Sequence, residues 1–190
     1  MRTKDPIDVL VSEHELILQV LSATEDRLAT LGEHQFPAEF FRDVVDFLTN
    51  FADGCHHFKE EDTLFPVMER RGVPAKDGPI GVMLHEHVVG RSHIAEIREN
   101  IPAASEGSAA AAEQIRSHAA AYIDLLRQHI HKENNILFRM ARHVLSSGDL
   151  EALDEEFWRE DNPKINRELR DRYADLAARI CGEPITVSLG

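Results

Sequence analysis

Apolar residues recur at helical spacing along nearly the whole chain, and strand-like alternation is absent. Ile7, Leu10, Val11, His14, Ile17, Leu18, Leu21 and Leu28 line one face of a first helix. Asp5-Pro6 reads as its N-cap and first residue, and Gly32 follows its end. Phe36-Pro37 opens a second helix, running through Val44, Leu48, Ala52 and Leu64 to about Arg71. Arg70-Arg71-Gly72 is a C-terminal signature, with cations on the negative end of the dipole. Pro66 is expected to kink its last turns. Gly78-Pro79 opens a third helix with Ile80, Met83, Leu84, His87, Ile94 and Ile97, and Pro102 to Ser108 reads as a loop. A fourth runs from about Ala109 to Leu145, with Tyr122, Leu125, Leu126, His129, Ile136, Leu137 and Met140 on one face. Ser146-Ser147-Gly148 breaks it. A short helix near Leu150 to Trp158 follows, then a longer one from Asn162-Pro163 to Gly182. The pattern predicts an all-α protein. Residues 1–147 form an antiparallel four-helix bundle, and 148–190 are a helical extension packed on it.

The chain repeats itself. Shifted by 73 residues, the first helix pair falls on the second without a gap. Ile7 meets Ile80, Glu13-His14 meets Glu86-His87, His56 meets His129, Lys59 meets Lys132 and Glu60 meets Glu133. HHFKEEDTLF lies over HIHKENNILF. Each half is a helical hairpin with one His on its first helix and a His-x-x-x-Glu on its second. From His14 the first helix runs on for about 25 Å, and the second returns about 28 Å to His56. The two histidines therefore end side by side. The same holds for His87 and His129 once their loop is allowed for. Two such hairpins face to face collect four His and two Glu in one layer.

Helix phase selects the inward residue of each pair. His56 shares a face with Val45, Ala52 and Leu64, and Glu60 is one turn on. His57 shares a face with Asp46, Asn50 and Asp53, a solvated stripe, so it is expected at the surface. His57 and Glu61 remain the alternates, because phase fixes a direction only to within a fraction of a turn. On the fourth helix His129 and Glu133 share a face with Tyr122, Leu126 and Leu137, whereas His131 looks out. His34, His85, His93 and His143 read as surface or loop residues. His118 lies toward the core and is a marginal candidate for the same layer.

Composition sharpens this picture. Eleven histidines accompany a net charge of −13, which excludes a basic nucleic-acid-binding face and leaves cations as natural ligands. Two cysteines, Cys55 and Cys181, exclude a thiolate zinc site and a disulfide framework. Neither a leader nor a membrane-spanning run is visible, so a cytoplasmic setting is expected. Burying six polar groups in an apolar core costs several kcal/mol unless something satisfies them. Two divalent cations do so, each taking two imidazoles with the carboxylates bridging. Nitrogen and oxygen donors without thiolate suit iron, manganese or zinc. Six protein ligands leave positions open for a diatomic molecule or peroxide.

EHELI at Glu13–Ile17, HHFKEEDTLFP at His56–Pro66, EHVVGR at Glu86–Arg91 and HIHKENNILF at His129–Phe138 together resemble the hemerythrin-like, His-His-Glu cation-binding family, over roughly residues 5 to 145. The resemblance implies a bundle holding a bridged pair of non-haem irons, with ligands His14, His56, Glu60, His87, His129 and Glu133. It implies O2, nitric oxide or peroxide as small partners. Oxygen carriers of the family have a further His one turn after the third-helix His, and here that position is Arg91. The site therefore resembles a symmetric four-His, two-Glu variant, with Glu25 a candidate partner for Arg91. This departure disfavours simple oxygen carriage and favours sensing, redox turnover or metal handling. A di-iron peroxidase or oxidase, and an interaction module with a structural metal pair, are the competing readings. No substrate pocket is legible that would make it an enzyme outright. The amphipathic C-terminal helix is expected to cap the bundle or to form a homodimer.

Overall fold

A computed structural model describes residues 5–32, 35–159 and 161–183. The described residues are helical and connecting segments with no strand. Helix α1 is Pro6–Ala29; the Asp5 carboxylate accepts from the Ile7 N–H at 2.8 Å, capping the end that Pro6 begins. Helix α2 spans 38–70 and is regular only at its ends, Ala38–Phe47 and Phe65–Arg70. Between them lie π-helical stretches, Leu48–His57 and Lys59–Leu64. Pro66 stands just after these wider turns, so the departure from regular helix lies upstream of it.

Helix α3 is Pro79–Ser105. It continues through Pro102, where a loop is expected from the sequence. Proline removes a single donor so close to a helix end, and the chain turns only at Glu106 and Gly107, whose φ is 95°. Helix α4 runs over 109–144 from a Ser108 cap, with a π turn at Glu133–Leu137. Helix α5, Ser147–Phe157, starts earlier than expected because Ser146 and Asp149 form a reciprocal capping box. Helix α6, Arg167–Cys181, starts later. Asn166 caps it, while Asn162 closes a turn by accepting from the Lys164 N–H. Gly182, at φ 71°, ends it. His34, expected in the loop after α1, lies outside the described residues. No described helix is long and apolar enough to cross a membrane.

Helix α1 packs on α2 and α4, and α3 packs on α2 and α4, so the four long helices close a ring. Their apolar faces form two clusters. One holds Leu16, Ile17, Phe47, Phe51, Ile94, Leu126 and Ile130; the other holds Leu10, Leu64, Phe65, Met83, Leu137 and Phe138. Each long helix crosses from one cluster to the other at a histidine, and successive helices cross in opposite senses. Phe41, Phe47 and Phe51 are fully buried, each contributing about 1.5–3 kcal/mol. Helix α6 lays Tyr173, Leu176 and Ala177 into the first cluster, with Tyr173 against Phe47 and Phe51. Helix α5 lays Leu153 and Phe157 into the second.

Candidate metal centre

Between the two apolar clusters lies a polar layer. His14, His56, Glu60, His87, His129 and Glu133 are all buried there, at most 2 % exposed. The structure therefore brings together the six residues that the repeat singles out. The imidazoles are paired: His14 and His56 Nε2 are 2.9 Å apart, and His87 and His129 Nε2 are 3.0 Å apart. Each carboxylate reaches both pairs. A Glu133 oxygen is 3.1 Å from His14 Nε2 and 3.2 Å from His129 Nε2. Glu60 lies 3.5 Å from His56 and 3.6 Å from His87.

The outward nitrogens explain why the inward ones are free. His56 Nδ1 meets Glu13 at 3.0 Å and His129 Nδ1 meets Glu86 at 2.9 Å. His14 Nδ1 meets the Asn134 side-chain oxygen at 2.9 Å, and His87 Nδ1 meets Glu61 at 2.6 Å. Every partner is an acceptor, so each Nδ1 carries the proton and each Nε2 keeps its lone pair. The arrangement follows the repeat throughout: Glu13 and Glu86, Lys59 and Lys132, and Glu61 and Asn134 are each 73 apart. Phe138 stacks on His14 and Phe65 on His87, another pair at that offset.

Electrostatics follow from burial. Burial pushes the His56 imidazole down to about 4, and His14 beside it adds to this. Burial opposes ionisation of Glu13, but Lys59 and His56 outweigh it and hold the carboxyl at about 2. Burial and the facing Glu133 push Glu60 well above the usual carboxylate range. None of the four oxygens of Glu60 and Glu133 receives a hydrogen bond. Four lone pairs on nitrogen and four orphaned carboxylate oxygens, all converging, are the donor set of a cation pair. The residues present fit two such ions.

Some expectations are corrected. His57 is 5 % exposed, not a surface residue. Its ring stacks on His87 with centroids 3.7 Å apart, and Asp53 meets its Nδ1 at 3.2 Å. One of its nitrogens lies within 4.8 Å of donor atoms of Glu60, His87 and His129. The π turns of α2 supply the reason. Bonding from i to i+5 adds about one residue per turn, which advances the phase and swings both His56 and His57 inward. Only the unbroken His-His pair hinted at this in the sequence. Arg91 pairs with Asp53 and Glu61, each at 2.7 Å, whereas Glu25 pairs with Arg127. His118 faces His93, Nδ1 to Nδ1 at 3.1 Å, and does not join the layer. His85, His131 and His143 are exposed, as expected. Cys55 is buried as a core residue, and burial pushes its thiol up to about 11.

A cavity of about 10 Å³, about the room of one water, adjoins the centre between α3 and α4. Asp53, His57, His87, Gly90, Arg91 and Tyr122 are among its walls. At Gly90 an added Cβ would stand 3.3 Å from the Tyr122 ring, so glycine permits this close approach.

An all-helical protein with a buried layer of paired imidazoles and shared carboxylates defines a dinuclear cation-binding class. The chain belongs to the hemerythrin HHE cation-binding domain family, whose model matches residues 5–141. It is similar to the iron-sulfur cluster repair protein DnrN of Neisseria gonorrhoeae, 32% identical over 130 residues, covering 66% of this chain and 80% of that protein. It also resembles the iron-sulfur cluster repair protein YtfE of Yersinia pestis (strain Pestoides F), 35% identical over 89 residues, 45% of this chain and 40% of that one. An uncharacterized protein of Mycobacterium bovis, Mb2018, is 23% identical over 172 residues, 88% of this chain and 67% of that protein.

Proposed function

We propose that the chain is a non-haem di-iron protein that binds or senses O2, nitric oxide or peroxide, within the antiparallel four-helix bundle of its family. The observation that carries this reading is the set of orphaned Glu60 and Glu133 oxygens, each carboxylate reaching between two imidazole pairs. His14 and His56 would hold one ion, His87 and His129 the other, and the two glutamates would bridge. The iron pair would supply redox chemistry and open positions for a small ligand. The chain's own part is to hold and to shield. Glu13, Glu61, Glu86 and Asn134 fix the imidazole tautomers, and the apolar clusters above and below exclude water. The cavity beside the centre, about the room of one water, suits a very small ligand better than an organic substrate. The names of the two relatives support a role in iron–sulfur cluster repair.

Anaerobic ferrous loading followed by air, nitric oxide or peroxide tests this. About two irons per chain and a visible spectrum that responds to the added ligand are expected. A chain that stays metal-free, or whose spectrum ignores all three ligands, overturns the reading. Repeated peroxide consumption would mark an enzyme, and a single stable coloured species a binder.

A further inference from the structure

We infer that His57 is a third imidazole ligand to the ion held by His87 and His129, so that the two ions are chemically unequal. This inference rests on the dinuclear reading above and goes beyond its four-His, two-Glu set. His57 has no counterpart in the repeat, where Ile130 stands at the matching position. One half of the centre therefore carries a nitrogen donor that the other lacks.

Three observations converge on His57. It is almost wholly buried, and its ring lies face to face with that of His87. A ring nitrogen reaches the same small volume as the donor atoms of Glu60, His87 and His129. Its Nδ1 is held by Asp53, which is itself held by Arg91 at 2.7 Å. Asp53 accepts the Nδ1 proton, which leaves the Nε2 lone pair for a cation. A buried imidazole whose Nδ1 is held by an acceptor shares that arrangement with the other four, though not their place in the repeat.

The same cluster accounts for Arg91. It occupies the third-helix position one turn beyond His87, and its guanidinium spans Asp53 and Glu61. Those two carboxylates orient His57 and His87 respectively. Arg91 is thus a positioning residue for two imidazoles of one half. The other half has Leu18 at the position matching Arg91, and the neutral Asn134 where this one has Glu61. The ion between His87 and His129 therefore has three nitrogen donors, one backed by an extra carboxylate. The ion between His14 and His56 has two.

Anaerobic ferrous titration against a competing chelator, read with Mössbauer spectroscopy of the loaded protein, decides the matter. The unmodified protein is expected to bind two irons in two steps and to give two unequal quadrupole doublets. His57→Phe is expected to weaken one step by at least about 10-fold, the scale of lost metal-supporting groups, and to draw the doublets together. His57→Gln, which keeps a side-chain donor for Asp53 and the polarity of the site, is expected to do the same. Asp53→Asn is expected to give a smaller weakening of the same step. Circular dichroism of the metal-free variants checks that each folds. Two steps and two unequal doublets preserved in both folded His57 variants overturn the inference while leaving the dinuclear reading intact. An unmodified protein that binds fewer than two irons overturns the dinuclear reading and the inference with it.

Discussion

The two halves of the centre have nearly the same sequence pattern and different surroundings. Around His14 and His56 the supporting ion pair is sealed: Glu13 and Lys59 are wholly buried, and Phe157 from α5 lies over the Lys59 ammonium at 5.7 Å. Around His87 and His129 the matching pair is Glu86 with Lys132, whose side chain is 33 % exposed. On that side stand also His57, the Asp53–Arg91–Glu61 network and the small cavity. A duplicated hairpin thus supplies equal donors, and differences within the repeat, together with Phe157 from outside it, make their surroundings unequal. The sealed half has the character of a structural anchor. The other half adjoins a small cavity and partly exposed ion pairs.

The strongest way to break this comparison is to remove one imidazole from each half. In the His56→Ala/His129→Ala double variant, bound iron is expected to fall from about two ions per chain to near zero by metal analysis. Next in size is the contrast between the two lysines. Lys59→Met leaves the Glu13 charge buried without its partner and is expected to cost about 3–5 kcal/mol in urea unfolding. Lys132→Met, at the partly exposed pair, is expected to cost less than about 1 kcal/mol. Equal losses would mean that the halves do not differ in this way.

A smaller effect lies in acid. The Glu13 carboxyl sits at about 2 in the folded, metal-free protein against an ordinary value of 4.5. A depressed carboxylate favours folding above its unfolded value, and that contribution disappears as pH falls from 4.5 through 2. The stability of Glu13→Gln is therefore expected to fall less steeply than that of the unmodified chain in this window. Guanidinium titrations at a series of pH values measure the two slopes. The smallest effect is expected from Gly90→Ala. The added methyl crowds Tyr122 at 3.3 Å, and the helix propensity gained by alanine offsets most of the strain, so stability changes by less than about 1 kcal/mol. The reaction of the iron-loaded protein with nitric oxide is expected to slow, as stopped-flow absorbance would show. An unchanged rate would place the route to the centre elsewhere.

Most of the helices were legible because their signals are local. Asp5-Pro6 and Gly182 act within one turn of themselves, and the structure uses each as a cap. Where two local signals compete, the sequence misleads. Asn162-Pro163 reads as a helix start, yet Asn166, four residues on, takes the role. Pro102 looked like a stop, yet α3 runs three residues past it. The layer of six was legible for a different reason: a constant offset and a matched phase in two hairpins leave little freedom in where the side chains meet.

Spacing alone specifies the duplicated hairpins and the four histidines and two glutamates that share inward faces. A regular helix has a constant period, so spacing alone carries that information. The tertiary structure decided which half is sealed, because Phe157 reaches Lys59 from a separate helix far along the chain. It also decided that His57 turns inward. The π turns of α2 shift the period over a stretch where only the His-His pair hints at it, and a constant helical period cannot register the change.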